Sequence, residues 1–128
     1  MKRNDPKGID ERSFRFYQRV LEFVETIPNE PKTKRLIEQL AGSAGSVSAN
    51  REEAASGGSR REFAHFNEVA LRSANESVKW LRACAGRRLG DRRQCTELLD
   101  EARQLARILA KIVITTKAKG LDGAPRST

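Results

Sequence analysis

The glycine pair Gly57-Gly58, followed at once by Ser59-Arg60-Arg61-Glu62, marks the centre of this chain as a turn between two helices. Adjacent glycines supply the left-handed backbone that closes a helix. A serine with a glutamate three residues on is a capping box, in which each side chain satisfies an orphan amide. Three further starts can be read. Asp10 serves as an N-cap, with Ser13 as a supplementary acceptor. Pro28 and Pro31 end one helix and open the next. Asp91, with Gln94 three residues later, caps the last helix after the basic turn Arg87-Arg88-Leu89-Gly90. The predicted helices span about 11–27, 31–56, 60–86 and 92–118. Residues 1–10 and 120–128 have little to bury and are predicted to be disordered.

The apolar residues recur at helical spacing in all four segments. In the first, Phe14, Tyr17, Val20, Leu21, Val24 and Ile27 make a core stripe, and Phe16 and Phe23 widen it toward another subunit. The second pairs Leu36, Leu40 and Val47 with Ala41, Gly42, Ala44, Gly45 and Ala49, a narrow face that admits close helix contact. Each helical glycine costs about 1 kcal/mol relative to alanine, so tertiary packing must hold this helix. The third carries Phe63, Phe66, Ala70, Ser73, Ser77, Trp80, Leu81 and Cys84. The fourth is the cleanest, with Cys95, Leu98, Leu99, Ala102, Leu105, Ala106, Leu109, Ile112, Val113 and Thr116. Four amphipathic helices on short turns, in a chain of 128 residues, predict a single-domain, all-α, up-down-up-down antiparallel four-helix bundle.

Other classes are excluded by what the chain lacks. No run approaches the ~18–20 apolar residues of a membrane helix, and MKRNDPKGIDER has no signal-like apolar region. A cytoplasmic protein is expected. Cys84 and Cys95 fall on apolar faces without metal-ligand spacing and read as buried free thiols. The single histidine, His65, is not three residues after Glu53 or Glu76, so the di-metal bundle signature is absent. Serine elbows, Cys–His pairs and phosphate loops are missing too. No catalytic residue, metal or cofactor is predicted.

Two features remain. Gln39, Ser46, Asn50 and Glu53 share one helix face, and Ser73 and Glu76 repeat the spacing across the turn. Such a file is either a buried network that fixes helix register or a site; the register role is the favoured one. Glu53 and Glu76 are expected to face each other, with Arg51 or Arg72 as a candidate cation. The second feature is charge. The chain carries +8, and residues from Gly86 onward hold ten Lys/Arg against five Asp/Glu. Arg103, Arg107 and Lys111 recur every four positions, and Arg87, Arg88, Arg92 and Arg93 cluster at the turn before them. Arginine forks onto phosphates bidentately, so these seven are the predicted nucleic-acid contacts.

The central segment resembles the family of four-helix bundle proteins encoded in 23S rRNA intervening sequences. Its members show a glutamine, a Ser-Ile-Pro-Ala-Asn-Ile-Ala-Glu-Gly stretch, a Ser-x-x-Glu-Phe helix start and an Ala-x-x-Ser-x-x-Glu. Here stand Gln39, then Ser46-Val47-Ser48-Ala49-Asn50-Arg51-Glu52-Glu53-Ala54, then Ser59 to Phe63, then Ala70, Ser73 and Glu76. Ser48, Arg51, Glu52 and Ala54 depart from the pattern. With its helix lengths, the resemblance covers about residues 12–118. It implies a left-turning bundle without enzyme activity, assembled in some relatives as a homopentamer. A related branch comprises basic accessory proteins of diversity-generating retroelements, which look like nucleic-acid binders. The combined expectation is a non-enzymatic homo-oligomer that binds RNA or DNA through its basic surface. The alternative is a protein-interaction adaptor that docks a partner on the Phe16/Phe23 face or the small-residue face.

Overall fold

Proline opens both α1 (Pro6–Val24) and α2 (Pro31–Ala55), at the position where a helix has no use for an amide donor. Thr33 accepts a bond from the Glu30 amide (3.0 Å) and closes a capping box at the start of α2. Ser59 and Glu62 close the expected box before α3 (Arg60–Gly86), and Gly57 and Gly58 take φ of 110° and 99°. Asp91 accepts from the Gln94 amide (2.8 Å) and caps α4 (Arg92–Ala118). The computed structural model describes residues 6–122, all-α throughout that range.

The helices form a ring in chain order. α2 packs most extensively on α3 and α3 on α4, while α1 closes the ring against α2 and, more thinly, α4. The α1–α2 and α3–α4 turns lie at one end, where Thr26 Oγ1 accepts from the Asp91 amide (2.8 Å). At the other end Arg60 donates to the carbonyls of Lys119 and Gly120 (2.9 Å each). The bundle is therefore up-down-up-down and antiparallel, as predicted.

The first helix departs from its prediction in extent and in face. It begins at Pro6, not after Asp10, because Ile9 is 1% exposed and adds a turn to the core. Asp10 lies inside the helix and binds Arg51 rather than capping. The helix ends at Val24, and Thr26 and Ile27 turn on bonds to the Phe23 and Val24 carbonyls. The buried stripe is Ile9, Ser13, Phe16, Val20, Phe23 and Ile27, while Phe14 and Leu21 are 46% and 38% exposed. Both stripes have helical spacing. The one that wins continues through Ile9, and it seals two phenylalanines worth roughly 1.5–3 kcal/mol each. Of the predicted termini, residues 1–5 and 123–128 lie outside the described residues. Asp122 pairs with Arg61.

Two glycines are dictated by contact. A Cβ on Gly45 would stand 3.1 Å from Tyr17 Cε1, so α1 and α2 meet through an absent side chain. Gly90, at φ 73°, would place a Cβ within 2.9 Å of Thr26, Ile27 and Phe23. No helix among the described residues is long and apolar enough to cross a membrane.

Candidate nucleic-acid interface

The core stripe of α4 leaves the opposite side of that helix to solvent, and the predicted cations stand there. Arg92, Arg93, Arg103, Arg107 and Lys111 are all exposed, as are Arg87 and Arg88 in the turn. From Arg92 to Lys111 the strip rises ~29 Å at 1.5 Å per residue. That is just under the ~34 Å turn of B-form duplex. Arg88 takes a left-handed φ of 55°, unusual for a side-chain-bearing residue, in the turn that precedes Gly90.

Of the acids nearest the strip, Glu101 is turned toward α1, while Asp100 stays exposed on α4 beside the cations. Glu101 receives two bonds from Arg12 of α1 (2.6 and 3.1 Å), and Gln104 also accepts from Arg12. The hydrogen bond to Glu101 raises the Arg12 pKa, working against desolvation. Asp100 accepts from Gln104 (2.8 Å). Glu97 is shared by Arg93 (3.4 Å) and Arg19 (3.8 Å), both exposed pairs of small net value. Among the described residues, Arg87, Arg88, Arg92, Arg103, Arg107 and Lys111 have no ion-pair partner. Ile114, 69% exposed, lies one turn beyond the strip on the same side of the helix.

The predicted polar file divides in two. Ser73 donates to Ser46 Oγ (2.8 Å) across the α2–α3 seam, and within α2 Asn50 donates to the Ser46 carbonyl and hydroxyl (2.9 and 3.1 Å). The Gln39 side chain is half-buried and makes no hydrogen bond to a described residue; Glu53 and Glu76 are exposed, and their carboxylates likewise make none. The expected buried carboxylate pair does not form. Glu53 falls outside the buried stripe of α2 and Glu76 outside that of α3, and water solvates them at no cost. Arg72 is exposed as well.

The buried charge is elsewhere. Arg51 is 1% exposed and donates to Asp10 Oδ1 (2.9 Å) and Asn67 Oδ1 (2.6 Å), and Asn67 donates to the Phe63 carbonyl (2.8 Å). Sequence reading passed over this triad, though the signal was there. Leu40, Ala44, Val47, Arg51 and Ala54 step by four, three, four and three, which places Arg51 on the core stripe. The Ser43–Ser77 hydroxyl contact (2.9 Å) beside the Ser46–Ser73 bond was missed in the same way. His65 is exposed and edge-on to Phe66. Among the described residues no three His, Cys, Asp or Glu side chains cluster as metal ligands.

These features define a class: an antiparallel four-helix bundle with a basic strip on its last helix and, among the described residues, one buried arginine. The chain belongs to the 23S rRNA-intervening sequence protein family, whose model matches residues 8–111. Among solved structures it is similar to a protein of unknown function from the S23 ribosomal protein family of Bacteroides thetaiotaomicron. The two are 25% identical with a TM-score of 0.77, covering 85% of this chain and 97% of the other. A search of curated proteins returns no match.

Proposed function

We propose that this chain is a non-enzymatic, oligomeric nucleic-acid-binding bundle of the cytoplasm, which holds RNA or DNA on the outer face of α4 and the α3–α4 turn. One observation carries the reading. Six cations lie free of ion pairs to described residues while Glu101 is drawn away to Arg12 and Asp100 is engaged by Gln104. Phosphate contacts from such a strip are independent of sequence and weaken steeply with salt. The position of Ile114 adds an apolar contact for an unstacked base.

Self-association is supported on another side of the bundle. Phe14 and Leu21 are large, exposed and on one side of α1. Gly42 of α2 is exposed, and a Cβ built on it meets nothing within 4 Å, so no contact within the chain requires a glycine there. A neighbouring copy would use both features. The adaptor alternative loses one of its two faces, since Phe16 and Phe23 are core residues at 1% and 0% exposure. The small-residue face remains to it.

Fluorescence anisotropy with structured RNA and with single- and double-stranded DNA, across a salt series, tests the reading. Sub-micromolar binding is expected at low salt. Changing Arg103, Arg107 and Lys111 to Gln should lower the duplex salt slope by ~2–3, near one per lost phosphate contact. No binding at low salt, or an unchanged slope, refutes the interface. Light scattering in the same buffer reads the assembly; a mass near five times 14.3 kDa matches the pentamer that the family resemblance implies.

A further inference from the structure

The chain has only two cysteines, on different helices, and the fold delivers both to one pocket. The pocket, of about 240 Å³, opens beside the α3–α4 turn and is also lined by Arg88, Leu89, Arg92 and Thr96. Cys84 and Cys95 are 0% and 3% exposed. Cys95 Sγ donates to the Leu81 carbonyl (3.5 Å), one turn before Cys84, so this sulfur has crossed from α4 to the α3 backbone at the level of the other thiol. Burial raises both thiol pKa values, and the proximity of Cys95 raises that of Cys84 further. A neutral pair of this kind is a poor nucleophile. It remains a good acceptor for an ion soft enough to displace its protons.

Two sulfurs and no third donor exclude most metals. Zinc wants four ligands in a closed site, and no such set exists among the described residues. Soft thiolates select copper(I), and a d10 monovalent ion is content with two of them in a line. Binding converts Cu⁺ and two thiols into a bis-thiolate complex of charge −1, with two protons released to solvent. Arg88 and Arg92 line the same pocket and supply the compensating charge. We propose that Cys84 and Cys95 form a two-thiolate site for copper(I), entered through the pocket beside the α3–α4 turn. The site shares Arg88 and Arg92 with the basic strip, but its two sulfur ligands lie outside that strip, and copper binding by the chain alone is read without nucleic acid.

The test is an anaerobic titration of the reduced full chain with copper(I) against bicinchoninate. The expected result is one copper withheld per chain, with X-ray absorption giving two sulfur neighbours and no nitrogen or oxygen. Two released protons make the apparent affinity rise about 100-fold per pH unit between pH 6 and 8. Cys84→Ser and Cys95→Ser should each lose at least 100-fold while keeping their helical circular dichroism. Should either variant unfold, the coordination number and pH slope of the unaltered chain still decide. Copper left entirely with the competitor overturns the proposal. So does a third ligand, a tenfold pH slope, a folded single variant that binds like the parent, or equally tight zinc.

Discussion

Removing one partner of the Arg51 triad should harm this bundle more than removing the arginine itself. Arg51 is the largest fully buried side chain, and Asp10 is its charged partner, with a side chain 30% exposed. Asp10→Ala leaves a guanidinium without its carboxylate in the core. Breaking a buried pair in this way costs about 3–5 kcal/mol, and the partial exposure of Asp10 places this case near 3. Arg51→Met removes the charge and fills much of its volume. What remains is an unpaired Asn67 Oδ1, a loss of roughly 1–2 kcal/mol. For a domain of this size the whole stability is on the order of 6–18 kcal/mol, so both changes are measurable. Urea unfolding followed by circular dichroism reads them. With a slope of about 2 kcal/mol/M, Asp10→Ala should lower the midpoint by ~1.5 M and Arg51→Met by ~0.5–1 M. Asp10→Asn keeps an acceptor for Arg51 Nε and should fall between them. If Arg51→Met proves the more damaging, the arginine is stabilising through packing, and the account of a desolvated charge held by its partner is wrong.

The glycines make an opposed pair. Gly90→Ala should cost at least 1–2 kcal/mol from its left-handed φ alone, and more from the three contacts under 3 Å, read as a lowered urea midpoint. Gly42→Ala should stabilise the isolated chain by about 1 kcal/mol while shifting light scattering toward smaller assemblies. A destabilised monomer with unchanged mass would refute the role given to Gly42. For the thiols, burial pushes Cys84 up to about 12 from an ordinary 9.0, which lowers its thiolate fraction by roughly three powers of ten. Iodoacetamide at pH 8 should therefore label Cys84 about 1,000-fold more slowly than a peptide thiol, as followed by mass spectrometry. The stability gained by keeping this group neutral is full below pH 9 and is lost as pH rises from 9 through about 12. A native chain labelled at the peptide rate would contradict the burial.

Helix number, order, the start of α2 and the α2–α3 and α3–α4 boundaries were legible because caps, prolines and glycines act over four residues, well within the reach of pattern reading. The face of α1 was not. Phe14, Leu21 and Phe16, Phe23 have the same spacing within a single helix, and only the position of Ile9 relative to the other three helices decides between them. Glu53 and Glu76 illustrate a second limit. A shared helix face says that residues point the same way, but not whether another helix lies in that direction. Arg51 shows the converse, since periodicity put it on the core stripe and its charge argued against believing it. Asp10, 41 positions away, resolves that conflict. The basic strip was legible residue by residue. The withdrawal of Glu101 from it was not, because that depends on Arg12 of α1.

The two ends of the bundle differ in what they would tolerate. At one, Thr26 donates to the Phe23 carbonyl while accepting from the Asp91 amide, and Gly90 is wedged against the same turn, so the two connections are locked to each other. At the other, the Gly57-Gly58 connection has open space above Gly57. A guest segment spliced in after Gly57 would leave every interhelical contact in register, whereas one added between Leu89 and Gly90 would pull apart both connections at once. The scaffold is open to lengthening at one end only, and that end is the one away from the arginine-rich turn.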